Sequence, residues 1–365
     1  MDVIVGGGVV GLSVAWRLAR DGRPVTLVDP APASGASHAA AGMLAPVSEV
    51  AYTEVPLLRL GVASLRRWPA FATELAADAG LAGTEALDLR SDGTLDVAFG
   101  TDDLAALDEL ATYMEKLELP VERLSGRECR RLEPMLAPSV RGGLLAPGDA
   151  WVDPRRVTAA LLAALDRRGV PLVRSRVGEL LRDGGRVTGV RLGEGAEMRA
   201  ERVVLAAGVW SAGLAEVPVR PVKGQIMRLR SPQPLLTRCV RGTVHGTPVY
   251  LVPRGDGELV VGATQEEMGF DTRVTAGGLY ELLRDARELV PGVTELEIAD
   301  VVAGLRPGTP DNLPVIGPSG TPGLALATGH HRGGVLLAPL TADILLGEEG
   351  ELAALCTPGR FREIS

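Results

Sequence analysis

The stretch Asp2-Val3-Ile4-Val5-Gly6-Gly7-Gly8-Val9-Val10-Gly11 decides the fold. Its first four residues are an apolar run of the kind that forms a buried parallel strand. The glycines that follow fit G-x-G-x-x-G, set between that strand and a helix predicted from about Val9 to Arg20. In this pattern Gly6 allows a tight turn, Gly8 lets the backbone approach a pyrophosphate, and Gly11 lets the helix pack on the sheet. The helix start, at Val9 and Val10, offers unpaired N–H groups and the positive end of its dipole to a phosphate. Gly22 ends the helix. Pro24–Val28 then gives a second apolar strand, closed by Asp29 and Pro30, and Asp29 stands 18 residues after Gly11, where a carboxylate bonds a ribose hydroxyl. Strand, helix and acid together read as the start of a Rossmann-type dinucleotide domain.

Composition narrows the rest. The chain has 365 residues, 46% hydrophobic and 23% charged, as expected of a globular protein with two domains or one large domain with an insertion. A net charge of −8 argues against nucleic acid or an anionic membrane as partner, since both need a basic face. No apolar run reaches the length of a membrane span, and no basic segment precedes the first strand. The expected location is cytoplasmic. Cys129, Cys239 and Cys356 are far apart, form no metal spacing, and read as buried free thiols. No metal site is expected.

Along the chain, residues 57–82 and 102–118 read as helices, with strand and turn at 87–99. Asp153 caps a helix that opens at Pro154 and runs to about Arg168. Segments 171–181 and 186–192 suggest a hairpin around Asp183-Gly184-Gly185. Residues 201–208 form a buried strand, strands dominate 217–264, a helix covers 277–290, and the chain closes with a strand at 323–328 and a helix from about Gly334 to Leu346. Nucleotide-type elements thus occur at the start, in the middle and at the end, with other material between. The expected class is α/β: a Rossmann-type FAD-binding domain interleaved with an α+β substrate domain built on a large mixed or antiparallel sheet. The cofactor domain is assigned to 1–45, 145–215 and 300–365, and the substrate domain to 46–144 and 216–299.

A single complete fingerprint means one dinucleotide. The small-residue loop Ser34 to Met43 favours FAD, because a long cofactor can lie along it, with Ala36, Ser37, Ala41, Gly42 and Met43 in reach.

The segments SHAAAGMLAP (37–46), VVLAAGVWS (203–211), PVKGQ (221–225), YLVPR (250–254), LVVGAT (259–264), AGLRPGTPDNLPVIG (303–317) and ATGHHRGGVLLAP (327–339) resemble the D-amino-acid oxidase family of flavoproteins, and within it the glycine oxidases of thiamine biosynthesis. The resemblance covers nearly the whole chain and keeps the motif order. It implies oxidative deamination of glycine or another small amine, such as sarcosine or a small D-amino acid, by hydride transfer to flavin. Molecular oxygen would be the acceptor, giving an imine or glyoxylate, ammonia and hydrogen peroxide, with the imine available for thiazole synthesis. The alternative is a D-amino acid or sarcosine dehydrogenase that passes electrons to a quinone or carrier. A homo-oligomer is compatible with either. In two places the sequence departs from the family pattern. His331 and Gly333 flank Arg332 where an aromatic residue and Asn are usual, and the tyrosine upstream of YLVPR is absent, leaving His245 as the nearest polar ring.

The resemblance also places the site. Arg306 is the expected anchor of a substrate carboxylate, since its fork is planar and always charged. Arg332 is expected to face substrate or flavin, and Tyr250 to line the substrate pocket. Besides the fingerprint and the loop, Val177, Gly208, His330, His331, Gly333, Gly334, Val335 and Leu336 are expected on the cofactor. The segment 329–334 would bring a helix N-terminus to the negative charge of a reduced flavin. FAD is expected to be non-covalent, His38 being the only histidine near the loop that could attach it. The sequence offers no strong candidate for a general base.

Overall fold

The structure, a computed structural model, describes residues 1–347 and 350–364. β1 (Asp2–Val5) lies parallel to β2 (Val25–Val28), and α1 (Val9–Arg20) makes the crossover between them. They sit in a six-stranded sheet whose order is 315–318, 324–328, 202–205, β1, β2, 172–173. All its pairs are parallel except that between Val315–Pro318 and Leu324–Thr328. Alternation along β1 divides its side chains between two layers. Ile4 faces a core with α1 and the helices Pro154–Arg167 and Ala338–Leu346. Val3 and Val5 face a three-stranded sheet built from 177–183, 186–192 and 197–199. The expected strand over 171–181 is therefore two strands, Leu172–Val173 in the large sheet and Val177–Asp183 in the hairpin.

The helix expected over 57–82 is also two, Val55–Leu65 and Trp68–Ala79. Pro69 stands in the first turn of the second and cannot continue the first, because it lacks an N–H and crowds the preceding turn. Both helices belong with the nucleotide-binding layers. Phe71 meets Trp16 of α1 edge-on at 5.0 Å, and Trp16 Nε1 donates to Asp78 at 2.8 Å. Residues 55–79, expected within the substrate segment 46–144, thus help bury the cofactor-side sheet.

The second body is an eight-stranded mixed sheet in the order 297–308, 220–230, 258–262, 247–253, 239–244, 94–98, 142–146, 122–125. Its one parallel pair joins Thr94–Ala98 to Cys239–Val244. Strand Glu297–Gly308 pairs with Arg220–Arg230 along its length, from Arg220 opposite Gly308 to Arg230 opposite Glu297. The expected boundary at 299/300 falls inside this strand, and that at 144/145 falls inside Gly142–Ala146. Helix Ala276–Leu289 covers one face of the sheet with Leu282, Ala286 and Leu289. The other face looks toward the glycine turn after β1. All three cysteines are buried free thiols.

Candidate functional site

A single cavity of about 1400 Å³ runs between the two sheets, from Gly6–Val10 at one end to Tyr250 and Arg306 at the other. It exceeds the roughly 300–1,000 Å³ of most small-molecule pockets. At the nucleotide end Gly6 has φ +111°, and a side chain there would meet the Ala206 carbonyl at 2.3 Å. Gly8 differs: a methyl group on it would meet only Ser37 Oγ, at 3.3 Å. Packing therefore does not require glycine at position 8; the open space in front of it does. Asp29 accepts hydrogen bonds from Gly7 N–H at 2.6 Å and Ala31 N–H at 2.7 Å, which hold its carboxylate at the cavity wall. Ser37 Oγ accepts from Val9 N–H at 2.9 Å and ties the small-residue loop to the helix start. That loop is partly regular, with a helical turn at Ala36–Ala39 and a short strand at Met43–Leu44.

The large sheet forms the floor of the other end. Residues paired across neighbouring strands share a face. One row accordingly runs from Asp96 through Arg241, Tyr250, Gly262 and Ile226 to Val302. Arg306 lies four residues beyond Val302 on the same face. Its guanidinium folds back over Gly224, where a side chain would collide with Nη1 at 2.4 Å. Nη1 donates to the Thr264 carbonyl at 3.1 Å and the Lys223 carbonyl at 3.4 Å, and its charge acts on the Tyr250 hydroxyl. Among the described residues Arg306 has no carboxylate partner. Burial pushes the Tyr250 phenol up to about 12, so it stays protonated.

Arg332 also lines the cavity, but its guanidinium is already paired with Glu54, which accepts a second bond from Asn312 Nδ2 at 2.7 Å. The pairing with Arg332 and the Asn312 bond outweigh desolvation and hold the Glu54 carboxyl below its usual range. Arg241 is paired in the same way, its Nε lying 3.3 Å from Asp96 Oδ2. His330 is buried with Nε2 2.9 Å from Thr341 Oγ1, and desolvation lowers its imidazole to about 3. Desolvation, followed by the Arg332 and Arg306 cations, lowers His331 to about 4. Both rings are neutral at neutral pH.

All the expected cofactor residues line the cavity except Gly11, Gly333 and Leu336. Gly11 lies behind the turn, where a side chain would meet the Gly6 carbonyl at 1.9 Å. Gly333 and Leu336 line a separate small crevice, and the Leu336 carbonyl is taken by Ser64 Oγ and Trp68 Nε1. The expected helix from Gly334 begins only at Ala338, after a 3₁₀ turn at His331–Gly333 and further turns. His38 does not line the cavity; its carbonyl accepts from Arg155 Nε at 3.1 Å. Sequence reasoning missed Asp96, Arg241 and Glu54, which bind or pair across the fold, and Glu49, a carboxylate on the cavity wall just past the small-residue loop. The described residues contain no group of His, Cys, Asp and Glu able to hold a metal ion, and no helix long and apolar enough to cross a membrane.

Comparison with known proteins agrees with this geometry. The family model "DAO: FAD dependent oxidoreductase" matches residues 3–346. The "Bifunctional protein ThiO/ThiG" of Nostoc sp. is 36% identical over 350 residues, covering 94% of this chain and 51% of the relative. The chain thus spans about half the length of the bifunctional relatives that it matches. The glycine oxidase of Geobacillus kaustophilus is 35% identical over 348 residues, 93% of this chain and 89% of that protein. Its crystal structure superposes with a TM-score of 0.88 over 97% of each chain. The hydrogen cyanide synthase subunit HcnC of Pseudomonas aeruginosa is 30% identical over 94% of this chain and 90% of its own length.

Proposed function

The chain belongs to the DAO family of FAD-dependent oxidoreductases, and from that premise we propose that it oxidises glycine or a similarly small amino acid, with oxygen as acceptor. FAD is its cofactor and supplies the two-electron oxidation when bound. The glycine turn, Asp29 and the loop from Ala36 to Met43 would hold its dinucleotide and isoalloxazine arms. The observation that carries the substrate reading is Arg306, a cation without a carboxylate partner, sharing the cavity floor with a protonated Tyr250 on which its charge acts. An α-carboxylate would complete it with two parallel N–H···O bonds. Tyr250 can donate its O–H to the same carboxylate. The walls exclude water and fix the α-carbon relative to the cofactor. The product would be an imine that hydrolyses to glyoxylate and ammonia, or that enters thiazole synthesis as the likeness to the ThiO/ThiG proteins suggests.

The test is a panel of glycine, sarcosine, small D-amino acids and simple amines mixed anaerobically with the holoenzyme, followed at the flavin absorption band. Bleaching by glycine or sarcosine, and peroxide with ammonia or methylamine once air is admitted, is the expected result. Bleaching without peroxide, restored to turnover by a quinone dye, would assign the dehydrogenase alternative. No bleaching by any amine would overturn the reading.

A further inference from the structure

Three cations reach the substrate end of the cavity, and two of them have their own carboxylates: Arg332 is paired with Glu54 and Arg241 with Asp96. Arg306 remains without one. Of the carboxylates there, Glu54 and Asp96 are used in those pairs, Asp103 accepts from Gly100 N–H at 2.8 Å, Glu109 is exposed on the helix Thr101–Lys116, and Asp149 is buried beneath the wall, accepting from Val47 and Ser48 N–H at 3.2 and 3.0 Å. Glu49 lines the cavity and, among the described residues, has neither an ion pair nor a hydrogen bond at its carboxylate. Its main chain is fixed: Glu49 N–H donates to the Ala45 carbonyl at 3.2 Å, and its carbonyl lies 3.5 Å from Arg332 Nη2. Glu49 thus stands without a hydrogen bond or ion pair of its own, its charge acting at longer range on Arg332 and Arg241 as well as on Tyr250, and Arg306 stands without a carboxylate. Both act on the same phenol, for the charges of Arg306 and Glu49 push the Tyr250 hydroxyl in opposite directions.

We propose that Glu49 receives the ammonium of the substrate while Arg306 receives its carboxylate, so that the cavity selects zwitterionic amino acids over simple amines and over carboxylates alone. This rests on the amino-acid oxidation proposed above and adds the second anchor that the sequence did not reveal. An amino acid in its zwitterionic form brings two opposite charges into a cavity that presents their complement, so neither is buried unpaired. A carboxylate lacking the amine leaves Glu49 unpaired and close to the bound anion. An amine lacking the carboxylate leaves Arg306 unpaired. Arg241, Asp96, Arg332, Tyr250 and His331 line this space, with Glu54 and Asp149 outside its lining, and each is either paired, hydrogen-bonded or neutral.

The experiment compares glycine with glycolate, which replaces the ammonium by a hydroxyl at almost the same size. Each is titrated into the oxidised holoenzyme under anaerobic conditions, and dissociation constants are read from the flavin spectrum or, for glycine, from the concentration dependence of bleaching. Glu49→Gln, nearly isosteric, should weaken glycine at least about tenfold, leave glycolate unchanged or tighter, and so collapse the glycine-to-glycolate preference. Glu49→Asp, which keeps the charge, should restore part of it. Equal weakening of both ligands, or no change in either, would overturn the assignment. Glycine that binds without bleaching wild type would fail the oxidase reading while its sensitivity to Glu49→Gln still decides the anchor.

Discussion

Removing Arg306 should abolish substrate recognition and leave the fold and cofactor in place. The side chain bonds two main-chain carbonyls, and no carboxylate depends on it for neutralisation among the described residues. Its loss from the free enzyme strands no buried charge. The cost falls on the bound state. Two charge-assisted bonds to a carboxylate are worth about 1.5–3 kcal/mol each, so about 3 kcal/mol is a lower estimate, and each 1.4 kcal/mol is about tenfold. Arg306→Ala should lower kcat/KM for glycine by at least about two orders of magnitude. Arg306→Lys should recover only part, since an ammonium on a flexible stem cannot reproduce the planar fork. The guanidinium also occupies the space over Gly224, so Ala opens a hole there that water can fill. Rapid-mixing kinetics of flavin bleaching give the binding and reduction constants separately, and FAD content is read from the same spectra. Normal glycine oxidation by Arg306→Ala would refute the anchor. Loss of flavin from the variant would show that the residue serves the cofactor instead.

Other changes probe the rest of the site. Gly8→Leu should fold but purify nearly colourless, because only Ser37 Oγ neighbours that position within the protein and the new side chain would enter the space in front of the turn; a wild-type ratio of flavin to protein absorbance would contradict this. Without bound ligand its melting temperature should also fail to rise on adding FAD, as linkage requires. Tyr250→Phe should cost about tenfold to a hundredfold in kcat/KM, the worth of one hydrogen bond to a charged group, with no change in the alkaline limb of the pH profile, since burial holds the phenol protonated up to about 12. Asp149 offers a stability test. Burial raises its carboxyl from the model-compound 3.8 to about 6. A raised folded value means that its contribution is fully present below about pH 4 and is lost as pH rises through about 6. Denaturation of wild type and Asp149→Asn at several pH values should therefore show the difference between them shifting against wild type across that window; a constant difference would refute it.

The nucleotide-binding half was legible because its signals are local. Strand, glycine turn, helix and acid occupy Asp2 to Asp29, and each constrains its neighbours through backbone geometry. Most of the wall could be named for the same reason. The floor could not be read this way. Asp96 and Arg241 meet only because Thr94–Ala98 lies parallel to Cys239–Val244, a register set by packing between distant segments. The Arg332–Glu54 pair spans 278 residues. The boundary at 299/300 was placed inside strand Glu297–Gly308 because that strand begins with exposed residues and shows no clear alternation of burial. By contrast, the break between the helices at 55–65 and 68–79 was available in Pro69, which lacks the N–H needed to continue the first helix and suits the first turn of a new one.

The way the two halves join explains why a single family of cavities can serve several amines. The cofactor end is built from main-chain groups and small side chains, which admit little variation without losing the dinucleotide. The substrate end is built from side chains projecting from a sheet whose strands come from both ends of the sequence, so one substitution on the floor alters recognition without touching the cofactor. Here the floor and wall have neutralised two of three arginines internally and kept both histidines uncharged. What remains is a fixed positive group beside a protonated phenol, with a carboxylate elsewhere on the cavity wall. A site with more free cations would hold dianions, and one with none would accept plain amines. On the proposed reading, these residual charges suit a substrate with one carboxylate and one amine.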